Sequence, residues 1–418
     1  MHICLLSYRS YRYSGGQGIY LRYLSQSLRD LGHQVDIISG PPYPELDDGI
    51  RLVKLPSLDL YSMSSVRRLF INPNKLNTFA SIVEWAGTMS GYFSEPLAFG
   101  IRAYNLIRRG YVNRYDIVHD NQTMSYGILR IRELGLPVVE TIHHPVTIDR
   151  DLAIESAKSL KDKLGLKRWF SFIEMQMKVA RKLTHIITVS QTARQHIAET
   201  FGLPEEKLRV IYNGIDADIF CPSPKVSRLN NRLLVVISRD TPVKGLRYML
   251  EALGVLNQKH HLELVVVAKG TDNRTTQRLI NKLGIKDYVK IIDEIDTPEL
   301  VKQYRLATIV VIPSVYEGFG LPAAEAMACG APVVSTTAGA LPEVVGDAGV
   351  MVAPTDVKAL VHAISMLIVN PGKRRLLSEA GRRRIVREFN WKNTAKQTLD
   401  VYAEAIDYQK HSNQKYLE

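Results

Sequence analysis

The stretch TIVVIPSVYEGFGLPAAEAMACGAPVVST, residues 308–336, carries the reading of the whole chain. An apolar run ends at Ser314, a glycine-rich loop follows, a small-residue helix begins near Leu321, and a second apolar run closes at Thr336. Strand, loop, helix and strand in that order make one unit of a parallel sheet. Two acids, Glu317 and Glu325, stand eight positions apart across the loop. Between them Gly318, Phe319, Gly320 and Leu321 offer consecutive backbone amides, and Pro322 suits a first helical turn, where its missing N–H costs nothing. The dipole at that helix end favours negative charge. The amides are therefore predicted to hold anionic oxygens of a ligand, and the two acids its hydroxyls. Taken singly, Glu325 reads equally as a helix-surface acid and Glu317 as a charge beside a helix dipole.

Outward from this stretch, the same alternation continues on the N-terminal side. RLLVVIS, LELVVVA and VKII read as buried strands, separated by the helical patterns GLRYMLEALGVLNQK and TTQRLINKLG. Near the N-terminus, HICLLSY, SGGQG, IYLRYLSQSLRDLG and QVDIIS form another strand, glycine loop, helix and strand. DIVHD, PVVETIHH and HIITVS extend that series. The stretch from Gly40 to Tyr115 is less regular, and a basic helical region covers about Leu152 to Leu183. CPSPKVSRLNN, with its prolines, serines and asparagines, reads as a linker. The predicted fold class is α/β: two Rossmann-like doubly wound domains facing a central cleft. Their bounds are 1–218, with a tail helix from 391–418 packing back on it, and 219–390.

Composition narrows the function. In 418 residues, 45% are apolar and 23% charged, which suits a soluble two-domain chain with large cores. Three scattered cysteines fit neither a disulfide framework nor a zinc site and suggest a reducing cytoplasm. MHICLLSY lacks the basic start and long apolar run of a signal peptide, and no run of about 18 apolar residues predicts a membrane span. A formal charge of +12 favours anionic partners. Nucleic-acid motifs are lacking, so an anionic small substrate is the simpler expectation.

Ligands of open α/β sheets bind beyond the carboxyl ends of the strands. Gly15, Gly16 and Gly18 in the first such loop let a backbone approach phosphates, although the same glycines serve a plain tight turn. Asp36 is a ribose-acid candidate there. Arg239 and Lys244 in SRDTPVKG follow a strand and can clamp a diphosphate, one as a fork and one as a point charge. His119, His143 and His144 end strands of the first domain, where core hydrogen bonding competes with a catalytic role. Their spacing gives no metal site, and no metal or other cofactor is expected.

Together VIYNGIDADIF, SRDTPVKGL and residues 307–354 resemble the retaining glycosyltransferases of family 4, which have the GT-B fold and an E-x7-E motif. The resemblance implies a nucleotide-diphosphate-sugar donor held mostly by the second domain. Arg239 and Lys244 match the pyrophosphate pair, and Glu325 the acid on the ribose. Glu317 with the amides of Gly318 to Leu321 matches the group around the donor sugar, and Gly15 and Gly16 the loop reaching the phosphates. It further implies hexosyl transfer to an acceptor hydroxyl with retention, with a uridine donor favoured over guanosine and the acceptor a glycan, lipid or small molecule. The chain departs from the family where Asn121 replaces the second histidine of an H-x-H, which leaves Asn121, His119 and His143 as candidates for the place beside the sugar. It departs again at Lys269 and Gly270, where a G-x-G loop is usual. The basic segment Lys158 to Phe172, with Trp169 and two phenylalanines, suggests either peripheral contact with an anionic membrane and a lipid acceptor or a helix packing Trp169 inward. A catalytically inactive sugar-nucleotide or membrane-binding protein, or another GT-B enzyme such as an epimerase, are the competing readings.

Overall fold

The computed structural model describes every residue except 11–15, 61–62, 64–67, 69, 270–273, 294 and 416–418. The chain forms two compact units. The first holds Met1–Val189, Arg194–Ile211 and Thr394–Glu418; the second holds Ser190–Ala193 and Tyr212–Asn393. Each is built on one parallel sheet, so the α/β class and the two Rossmann-like folds read from the alternation are present.

The first sheet contains β1 (His2–Ser7), β2 (Gln34–Ser39), β3 (Arg51–Lys54), β4 (Ile117–Asn121), β5 (Val138–Ile142), β6 (His185–Thr188) and β7 (Leu208–Val210). Their order is β3-β2-β1-β4-β5-β6-β7, with every pairing parallel. The direction of winding reverses between β1 and β4. At such a reversal the connecting helices leave on opposite faces and open a crevice at the carboxyl ends of the two strands.

The second sheet contains β8 (Arg232–Arg239), β9 (Glu263–Lys269), β10 (Val289–Ile292), β11 (Ile309–Ile312), β12 (Val333–Thr336) and β13 (Val350–Val352). Its order is β10-β9-β8-β11-β12-β13, again all parallel, and it reverses between β8 and β11. Alternate residues Leu233 and Val235, Leu264 and Val266, Ile309 and Val311 point to one face. Met249 and Leu253 of the helix Leu246–Leu256, and Ile364 and Leu367 of the helix Val357–Val369, cover that face. Burying one such aliphatic side chain contributes roughly 1.5–3 kcal/mol. The site loops thus stand on a dry, rigid base.

Three regions differ from the sequence reading. Within 40–115 lie the short strand β3 and the helices Phe79–Met89 and Glu95–Arg108. β3 ends in exposed Arg51 and Lys54, so it shows no apolar run. The region Leu152 to Leu183 is divided among three helices, Thr147–Ser156, Leu160–Trp169 and Phe172–Lys182. Ser159 caps the second by accepting from the Asp162 N–H, which sets its start. Trp169 turns inward against Phe93, with ring centroids 5.0 Å apart. Leu160 and Leu164, one turn apart, stay 81% and 66% exposed. The last helix runs Trp391–Lys415, and it belongs to the first unit from Thr394 onward rather than from 391.

Among the described residues no helix is long and apolar enough to cross a membrane.

Candidate functional site

In the second unit, the loops after β8, β11 and β12 meet at the sheet's reversal. A 3-10 turn, Pro242–Lys244, ends on Gly245 in the left-handed region at φ +65°. A Cβ there would lie 1.9 Å from the Pro313 carbonyl oxygen, so only glycine lets the β8 loop close onto the end of β11. The Val315 N–H then donates to the Val243 carbonyl at 2.7 Å. From the other side Gly339, at φ +57°, would place a Cβ 2.1 Å from the Glu317 carbonyl oxygen, and the Ala340 N–H donates to that oxygen at 2.9 Å. Three loops thereby fix the Glu317 backbone.

That packing brings Lys244 and Glu317 together. The Lys244 Nζ donates to the Glu317 Oε1 at 2.8 Å, and the Ser314 hydroxyl donates to the same oxygen at 2.8 Å. The Oε2 has no hydrogen-bond partner among the described residues. Just beyond, the N–H groups of Gly318, Phe319, Gly320 and Leu321 donate to nothing among the described residues. The Phe319 ring packs inward against Phe389, with centroids 5.7 Å apart, and the Gly318 carbonyl accepts from the Ser190 hydroxyl at 2.7 Å. Side chain and carbonyl are thus engaged while the amides at the head of the helix Leu321–Ala328 stay available. Four open amides with a lysine beside them are the ingredients of an anion site.

Glu325 lies in that helix and is buried. The Tyr304 hydroxyl donates to its Oε2 at 2.8 Å, and its Oε1 has no hydrogen-bond partner among the described residues. Burial pushes the Glu325 carboxyl up to about 7, with the Tyr304 hydrogen bond pulling back. Arg239 is exposed at the carboxyl end of β8, after a bulge between Ile237 and Arg239. The sequence reading missed Tyr304 and Ser314. Ser314 sits three residues before Glu317, within reach of a local argument; Tyr304 comes from a different helix and carries no local signal.

In the first unit, the reversal between β1 and β4 is bridged differently. Gly15 and Gly270 lie outside the described residues. Gly16 opens the helix Gly16–Asp30, and the Asn121 Nδ2 donates to the Gln17 carbonyl at 3.1 Å. That bond fixes the amide orientation, so the Asn121 Oδ1 faces the His143 Nε2 at 2.7 Å and must accept from it. His143 is thereby held as the Nε2–H tautomer. Burial, with smaller contributions from His144 and His119, pushes the ring down to about 3, so it is neutral. Its Nδ1 keeps a lone pair with no hydrogen-bond partner among the described residues.

His119 is placed otherwise. Its Nδ1 meets the Tyr402 hydroxyl at 2.6 Å and its Nε2 the Thr141 hydroxyl at 2.7 Å. Both nitrogens are used, the ring is fully buried, and burial holds it neutral, pushed down to about 3. This geometry gives His119 the core role weighed against catalysis above. His144 pairs with Asp149 at 2.9 Å. Asp36 is buried among His2, Arg51, Arg114 and Tyr115 and takes no part in either reversal. Among the described residues no three histidine, cysteine or acidic side chains converge as a metal site.

The chain as a whole is similar to known proteins. Residues 222–384 match the family described as glycosyl transferases group 1, and residues 14–219 match glycosyltransferase family 4. Over 412 residues the chain is 42% identical to the MMP alpha-(1->4)-mannosyltransferase of Mycolicibacterium hassiacum, covering 97% of this chain and 98% of that protein. The chain belongs to the family 4 glycosyltransferases. As a glycosyltransferase it is also 26% identical to a D-inositol 3-phosphate glycosyltransferase of Thermobispora bispora, over 94% of this chain and 91% of that one. Its fold resembles the sucrose-phosphate synthase of Thermosynechococcus elongatus at a TM-score of 0.74 and 22% identity, over 98% and 100% of the two chains. It resembles Anabaena HepE, solved in complex with UDP, at a TM-score of 0.68 and 18% identity, over 97% and 100%. The glycosyltransferase thus has the GT-B fold.

Proposed function

We propose that this glycosyltransferase is a retaining α-mannosyltransferase that moves mannose from a nucleoside-diphosphate mannose to a hydroxyl of a glycan acceptor. The mannosyl assignment rests on the 42% identical relative, whose name specifies an α-(1→4)-mannosyl product. An α-linked mannosyl nucleotide that yields an α-linked product keeps its anomeric configuration. Guanosine is the base that ordinarily carries activated mannose, so GDP-mannose replaces the uridine donor expected from the sequence.

The observation that carries the reading is the Lys244–Glu317 pair beside four open amides at the reversal of the second sheet. In transfer, the bond from the sugar C1 to the diphosphate oxygen breaks and a bond from C1 to the acceptor oxygen forms. The acceptor proton passes to the departing diphosphate. Charge grows on the diphosphate, and Lys244, Arg239 and the amides of Gly318 to Leu321 offset it. The Glu317 Oε2 accepts from a hydroxyl of the transferred sugar, while the Glu325 Oε1 accepts from the ribose. In the first unit the His143 Nδ1 accepts from a further sugar hydroxyl, with Asn121 setting its tautomer. Gly16, at the head of the helix Gly16–Asp30, approaches the phosphates. None of these roles calls for a metal.

Incubating the protein with a panel of nucleotide sugars, without acceptor, tests the donor assignment. Slow diphosphate release is expected from GDP-mannose. Release only from uridine sugars would reassign the base and the sugar, and calorimetric silence toward every donor would remove the enzymatic reading. The exposed Leu160 and Leu164, set among Lys161, Lys163 and Lys167, support peripheral contact with an anionic membrane. Co-sedimentation with anionic but not neutral liposomes is the expected result, and equal recovery with both removes that contact.

A further inference from the structure

The residue after Asn121 is Gln122, and its backbone is unusual. It sits in the left-handed region at φ +61°, as does Met124 at +46°, although neither is glycine. A non-glycine residue rarely adopts this conformation unless its surroundings impose it, and such residues cluster at functional sites. For Gln122 the surroundings can be named. Its N–H donates to the Glu140 Oε1 at 3.0 Å. Its carbonyl accepts from the Gln176 Nε2 at 3.3 Å. Its side chain crosses from the end of β4 to the end of β5, where the Oε1 accepts from the His143 N–H at 2.8 Å and the Nε2 donates to the His144 carbonyl at 3.2 Å. Every polar group of a buried glutamine is thus used, and two of the four bonds clamp the backbone on either side of the His143 side chain. Asn121 holds the ring of that histidine while Gln122 holds its main chain.

We infer that Gln122 is a positioning residue: its strained backbone aims the amide so that the His143 Nδ1 is fixed in place for a sugar hydroxyl. Glu140 sets the strain by taking the Gln122 N–H. An extended backbone at position 122 would swing the amide off β5 and break both its bond from the His143 N–H and its bond to the His144 carbonyl. The inference rests on the proposed contact between His143 and the sugar.

The experiment is a double-mutant cycle on transfer kinetics with GDP binding measured beside it. Glycine at 122 keeps the left-handed backbone without strain and deletes only the clamp. Gln122→Gly should lower kcat about tenfold or more, leave GDP affinity unchanged and shift Tm by only a few degrees. His143→Ala should lower kcat further, and the double variant should match His143→Ala within about threefold. Should the glycine variant fail to fold, Gln122→Asn carries the same test, since asparagine tolerates this conformation but is one methylene too short to reach β5. Effects that multiply in the double variant, or a Gln122 variant with unchanged kcat, overturn the inference. A His143→Ala variant with unchanged kcat instead removes the sugar contact itself.

Discussion

The two sheet reversals share a topology and differ in electrostatics. In the second unit the loops after β8 and β11 are joined by a lysine–carboxylate pair, with four N–H groups left open beside it. In the first, the loops after β1 and β4 are joined by neutral groups, an asparagine amide on a carbonyl and a histidine held uncharged. Two reversals of one topology are thus furnished differently, one with charged groups and one with neutral hydrogen-bonding groups. A departing diphosphate needs the first kind and a sugar the second. The difference teaches that a doubly wound sheet supplies only the place, while the loop chemistry decides which part of a substrate is served.

The sharpest way to break this comparison is to remove the charge. Lys244→Ala is expected to lower turnover by about 10²-fold or more, as for other lost contacts to a leaving group's growing charge. It also leaves Glu317 with Ser314 as its remaining partner. His143→Ala should cost less, because a neutral hydrogen bond to a hydroxyl carries no leaving-group charge. Steady-state transfer rates for both variants give the ratio, and equal losses would erase the proposed division of labour.

Next in size is the buried acid beneath the neutral reversal. The Asp120 Oδ2 accepts from the Met124 N–H at 2.9 Å, deep in the fold. Asp120→Ala leaves that buried donor unpaired and should cost about 2 kcal/mol, read by denaturant unfolding. A cost under about 0.5 kcal/mol would mean that the acid does not support the strained Gln122–Met124 segment.

How much of this was legible in the sequence follows from how local each contact is. The strands were readable because parallel strands buried on both faces give continuous apolar runs, as in β8 and β9. β3 was not, being short and charged at both ends. Gly318 to Leu321 were identified because consecutive amides need no side chain. Lys244 and Glu317 could be named separately, but their pairing joins residues 73 positions apart. Gln122 gave no sign at all, since positive φ in a non-glycine residue is imposed by tertiary partners, here Glu140, Gln176 and the His143 backbone.

A smaller effect separates the two units by pH. Burial pushes the Glu325 carboxyl up to about 7, so at pH 6 it is largely protonated and a poorer acceptor for a ribose hydroxyl. Nucleoside-diphosphate affinity should rise by about tenfold from pH 6 to pH 8, one pKa unit being worth about 1.4 kcal/mol. Glu325→Gln should flatten that profile in calorimetric titrations. For the fold the sign is opposite. A carboxyl raised from 4.5 contributes stability below its unfolded value, and that contribution is lost as pH rises through 7. Binding that improves as the empty protein loses stability would show one carboxyl acting in both. A flat affinity profile in the unsubstituted protein would remove Glu325 from the ribose.

The smallest expected effect belongs to Glu140. Burial, then the neighbouring Asp120 charge, raises its carboxyl well above the ordinary value, while its Oε1 accepts from the Gln122 N–H at 3.0 Å. A glutamine has the shape of the protonated acid and keeps that acceptor. Glu140→Gln should therefore change stability by less than about 0.5 kcal/mol near pH 5. The sign of the pH dependence then distinguishes the two proteins. The native contribution is full below about 4.5 and is lost as pH rises through the elevated value, whereas the amide cannot lose its proton. Unfolding midpoints measured from pH 5 to pH 9 should start together and separate in favour of the variant. A variant that loses stability by the same amount at every pH would mean that Glu140 is ionised in the fold throughout that range.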